Sequence, residues 1–131
     1  MLRAYKVCVE ASTPPYAPLV ERLELPSGIL TRIEIRIPPG HFGLTGIRIK
    51  YGLETILPYR QDEWIIGDNE LVADSPQIRL EHEPTEITVE AYNNDDTYEH
   101  CFFLRFQVQE ESKLTSEILK KFLRYIGLRG V

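Results

Sequence analysis

What most constrains the fold of this chain is a period of two in its apolar residues. Ile33, Ile35 and Ile37 alternate with Arg32, Glu34 and Arg36, and Ile47, Ile49 and Tyr51 alternate with Arg48 and Lys50. The same alternation recurs at Tyr5, Val7 and Val9, at Ile87, Val89 and Ala91, and at Phe102, Leu104, Phe106 and Val108. Successive side chains of a strand point to opposite faces, so one apolar and one charged face means half-buried antiparallel strands. Shorter runs predict strands over residues 20–25, 64–66, 70–73 and 78–82.

Turn chemistry separates these runs. Pro26-Ser27-Gly28, Gly67-Asp68-Asn69 and Asn93-Asn94-Asp95-Asp96 supply the residues that tight connections favour. Pro38 closes one ladder, and Pro39-Gly40 suits the centre of a type II turn. Gly43 and Gly46 suggest a second bend before Ile47. About eight short strands at this spacing predict an all-β antiparallel sandwich, jelly-roll-like. Residues 13–18, with three prolines, read as an extended link that sets the first strand apart.

After Gln109 the period changes. Ser112 suits a helix cap, and Leu114, Ile118, Phe122, Tyr125 and Ile126 fall on one apolar face before Gly127. The expected organisation is a β-sandwich over residues 1–111 and an amphipathic C-terminal helix and tail over residues 112–131. That apolar face is a candidate interface. It either covers its own sandwich or docks on a neighbour.

At 131 residues the chain is long enough for one domain with a sizeable core. No apolar run approaches the roughly 20 residues that span a bilayer, so no membrane is expected. The start goes directly into strand alternation without a signal-peptide pattern, which predicts use without Sec export. The net charge is −5. Residues 113–131 carry five basic residues against Glu117, a formal +4, and the remainder therefore carries −9. An acidic body argues against nucleic acid as a partner and fits the tail of one copy meeting the body of another.

His41 and Phe42 form a candidate contact loop, since no nucleophile accompanies His41 and no phosphate-loop pattern surrounds the glycines. His41, His82 and His100 lack the spacing that puts two zinc ligands on one face. The acidic run at residues 93–97 lacks the calcium-loop pattern. No metal, cofactor or catalytic group is therefore expected. Cys8 and Cys101 lie within apolar runs and are expected as free, buried thiols; a bridge would require the first and last strands to be neighbours. Trp64, read first as core, and Tyr59 are the candidate ligand contacts of an alternative carbohydrate- or ligand-binding reading.

The stretches "LTRIEIRIPPGHFGLTGIRIKYG", "EWIIGDNE", and "ITVEAYNNDD" before "CFFLRFQV" resemble small β-sandwich proteins of tailed-virus particles, such as head-decoration, neck and tail-associated subunits. That resemblance implies a non-enzymatic virion protein made in the host cytoplasm. It also implies symmetric self-assembly, with a homo-oligomer and other particle proteins as partners. Outside a virus, the same reading places the chain in the cytoplasm.

Overall fold

The computed structural model describes residues 1–82 and 84–110 together with Lys121. Nine strands occupy this region: β1 (Leu2–Val9), β2 (Leu19–Leu25), β3 (Gly28–Ile37), β4 (Thr45–Tyr51), β5 (Glu54–Leu57), β6 (Glu70–Asp74), β7 (Ile78–Leu80), β8 (Thr85–Asn93) and β9 (His100–Gln109). They form two antiparallel sheets. One has the order β1-β9-β3-β6 with β7 also on β3, and the other has the order β2-β8-β4-β5. With β7 set aside, the strands pair first with last, second with second-last and so on inward. That nesting is the topology of a jelly roll.

The alternation accounts for the core. Ile33, Ile35 and Ile37 of β3 and Phe102, Leu104, Phe106 and Val108 of β9 point inward from one sheet. Ile47 and Ile49 of β4 and Ile87, Val89 and Ala91 of β8 meet them from the other. Burying each large side chain is worth about 1.5–3 kcal/mol, while the intervening charges stay outside.

Several expectations change. The described residues form nine strands where about eight were expected, and β5 is one that the sequence pattern does not announce. Residues 64–66 form no strand and contribute only the bridge Ile47↔Ile65. Gly46 does not bend the chain; it lies inside β4, directly opposite Tyr92 of β8. His82 sits exposed in the β7–β8 connection rather than at a strand end. The proline-rich link passes from one sheet to the other and turns on the way, Ala17 N–H donating to Pro14 O at 3.1 Å. The predicted helix, with Leu114, Ile118, Phe122, Tyr125 and Ile126, lies outside the described residues.

The cysteines are also corrected. β1 pairs with β9, and the register places Cys8 directly opposite Cys101. The two form a disulfide on the outward side of the sheet, half-buried, while Val7, Val9 and Phe102 take the inward positions. The condition for a bridge, adjacency of the first and last strands, is what the jelly roll supplies.

Candidate functional site at the loop end of the sandwich

The β1–β2, β3–β4 and β8–β9 connections, with residues 67–69 before β6, gather at one end of the sandwich. Hydrogen bonds from backbone N–H groups tie them together. Ser12 N–H donates to Asp95 O at 2.8 Å, Asn94 N–H to Leu44 O at 2.9 Å, and Phe42 N–H to Asp68 Oδ1 at 3.1 Å. Buried Asn93 joins two strands to the loop, its Nδ2 donating to Val9 O at 3.1 Å and to Tyr98 O at 2.8 Å.

His41 is the root of this end. The sequence puts it in a candidate contact loop, yet the residue is only 1% exposed. Its Nδ1 lies 2.7 Å from Thr45 Oγ1 and its Nε2 lies 3.1 Å from Cys101 O. A carbonyl only accepts, so Nε2 carries the proton and the Thr45 hydroxyl donates to Nδ1. The ring packs on His100 (centroids 4.7 Å apart) and edge-on against Phe102 (4.9 Å). Burial holds the His41 imidazole below the usual histidine range, and neighbouring His100 adds to this. His100 in turn donates from Nε2 to Asp95 Oδ2 at 2.8 Å. That bond and the one from Thr97 N–H hold the Asp95 carboxyl below its ordinary range.

The fold therefore brings together two of the three histidines that the sequence left dispersed. Their mapped nitrogens already have partners within the protein. Among the described residues, Cys8, Glu99 and Cys101 lie close enough to share one ion. Their two sulfurs are bonded to each other, and a disulfide offers no thiolate to a metal.

Phe42 is presented by this anchor. Its backbone is left-handed (φ 50°), between Gly40 (φ 105°) and Gly43 (φ 73°), and its side chain is 77% exposed. A bulky residue in that region persists only where its surroundings over-determine it. Here the buried imidazole and the Asp68 carboxylate fix the residue and the one before it. Tyr16 and Tyr98 are exposed on the adjoining loops.

Trp64 and Tyr59 go to different places. Trp64 is half-buried on the outer face of the β2-β8-β4-β5 sheet, not in the core between sheets. The Arg48 guanidinium covers its ring at 3.9 Å, and Tyr92 meets it edge-on at 4.9 Å. Arg48 and Lys50 both bond Glu90, at 2.8 and 3.0 Å. Burial pushes the Glu90 carboxyl up, but those two hydrogen bonds outweigh it and hold it low. Tyr59 is 94% exposed and lines a groove of about 670 Å³ with Glu54, Gln61, Asp74 and Ile78.

No protein-family model matches the chain, and no curated protein matches it, so sequence comparison supplies no tailed-virus relative. Solved structures do match in shape. The crystal structure of PirA gives a TM-score of 0.43 at 11% identity, over 79% of this chain and 93% of that one. A crystal structure of FLHE gives 0.38 at 9% identity, over 83% and 98%. A protein of the Bacillus endospore appendages, described as disulfide-linked pili, gives 0.28 at 13% identity, over 82% and 89%. At these scores and identities the likenesses assign neither family nor function. Among the described residues, no helix is long and apolar enough to cross a membrane.

Proposed function

We propose that this chain is a non-enzymatic structural subunit that self-associates through its loop end. The observation that carries the reading is Phe42, an aromatic side chain held out in water on left-handed backbone by a fully buried histidine. Aromatic residues are enriched where protein surfaces meet, and exposed Tyr16 and Tyr98 extend the same surface. A loop meant only to reverse the chain has no need of an exposed phenylalanine at a strained position.

The disulfide supports an oxidising setting, such as a cell exterior or a virion surface, over the cytoplasm expected from the sequence for a non-viral protein. The finer placement, a decoration, neck or tail-associated subunit of a tailed virus, rests on the strand-pattern resemblance. The jelly roll also serves capsid proteins. It serves lectins as well, and fold alone does not choose. The carbohydrate-binding alternative is favoured by the groove at Tyr59, where an exposed ring stands beside carboxylates and an amide. It no longer includes Trp64, whose ring is covered by Arg48.

Light scattering on the wild type and on Phe42→Ser tests the proposal. The expected result is association of the wild type at micromolar concentration and its loss in the variant at unchanged melting temperature. A wild-type monomer at every concentration, together with stoichiometric binding on a glycan array that Tyr59→Ala abolishes, would favour the alternative.

A further inference from the structure

The outward face of the β1-β9-β3-β6 sheet has a character opposite to that of the loop end. Strand register sets its side chains in rows. Lys6, Phe103, Arg36 and Leu71 form one row, and Ala4, Arg105, Glu34 and Ala73 form the next. Leu2, Gln107 and Arg32 form a third. Among the described residues of these rows, four cations accompany one carboxylate, on a chain whose net charge is −5.

That carboxylate is shared. Glu34 takes Arg32 Nε at 2.8 Å and Arg105 Nη1 at 4.0 Å. Arg36 donates to Asn69 Oδ1 at 3.4 Å, a contact that leaves its charge in place, and Lys6 lies 5.8 Å over the Phe103 ring. Phe103 and Leu71 are 43% and 54% exposed, so the cationic face has an apolar middle.

The loop end is the complement. Its connections, residues 10–18, 38–44, 67–69 and 94–99, hold Glu10, Asp68, Asp95, Asp96 and Glu99 and contain no lysine or arginine. They also display Tyr16, Phe42 and Tyr98.

We infer that the acidic, aromatic loop end of one copy docks on the cationic outer face of the β1-β9-β3-β6 sheet of a second copy. The inference rests on the self-association proposed above and names the surface that receives the loop. Charge decides among the pairings. Loop end against loop end sets five carboxylates against five, and face against face sets four cations against four; like charges so placed repel and suppress those encounters. Loop end against face pairs opposite signs and puts Phe42 near Phe103 and Leu71. The two surfaces are different parts of one chain, so the contact is heterologous. It leaves a free loop end and a free face on every pair, and growth continues into a ring or a filament.

Two full-length variants test this. Arg36→Glu with Phe103→Ser disables the face, and Phe42→Ser with Asp96→Lys disables the loop end. Each alone is expected to be monomeric where the wild type associates, its dissociation constant raised about a hundredfold. Their mixture is expected to form a one-to-one dimer that does not grow, because one live loop end meets one live face. A mixture that stays monomeric while the wild type associates would overturn the docking geometry and leave self-association standing. A wild type that never associates would remove both. Circular dichroism and melting temperature check that each variant is folded. Independently of any variant, wild-type association is expected to weaken about tenfold between low salt and roughly 0.5 M salt; association indifferent to salt would overturn the inference.

Discussion

His41 and His100 pack against each other with ring centroids 4.7 Å apart and planes tilted by 42°, beneath the loop that displays Phe42. A positive charge on the buried His41 ring is unfavourable, and the consequence is a pH dependence of known sign. The folded-state pKa of His41 lies below the ordinary value of 6.5, so its contribution to stability is complete above that value. That contribution is lost as pH falls from about 6.5 through the folded pKa. The carboxylates held low, Glu34, Glu90 and Asp95, lose theirs at lower pH, below about 4.5. The melting temperature is therefore expected to fall between pH 7 and pH 5, with a shallower slope in His41→Gln. An equal slope in the variant would mean that another group is responsible.

The disulfide closes a loop of 93 residues and joins the two ends of the nested strand order. Chain-entropy arguments give such a bridge roughly 4–5 kcal/mol. The double variant Cys8→Ala/Cys101→Ala is expected to remain all-β by circular dichroism and to melt well below the wild type. The unreduced wild-type protein is expected to show no free thiol by titration. Two titratable thiols in the native protein would contradict the pairing.

Gly46 is required by the Tyr92 ring. A Cβ added there would lie 2.1 Å from Tyr92 Cε1, so the ring must leave its place against Trp64. Gly46→Ala is expected to cost about 1–3 kcal/mol, the usual range for overpacking. Because Trp64 is the chain's single tryptophan, its emission reports the displacement directly. An unshifted spectrum with unchanged stability would show that Tyr92 yields without cost.

The period-two pattern carried most of the fold because it is local. Ile33–Ile37 and Phe102–Val108 needed no partner to declare which side chains face inward. β5 was hidden because it is only four residues long and carries the extra residue of the register shift opposite Ile49 and Lys50, so that its apolar residues Ile56 and Leu57 are consecutive rather than alternating. The disulfide and the buried state of His41 depend on distant pairing. Cys8 meets Cys101 only through the closing of β1 on β9, and His41 finds its carbonyl acceptor 60 residues away. Neither partner is visible from local sequence. Phe42 was legible as part of a contact loop; the cationic sheet face was not, since its rows exist only once β1, β9, β3 and β6 lie in register.

Which surface of one copy touches which surface of the next is read by photocross-linking from position 42. A photoreactive phenylalanine analogue replaces Phe42 in isotope-labelled protein, which is mixed with unlabelled wild type and irradiated. Cross-links are expected to join labelled to unlabelled chains at β9 or β3 peptides containing Phe103, Arg105 or Arg36. Cross-links confined to loop-end peptides, or none between chains at any concentration, would contradict the docking of loop end on sheet face.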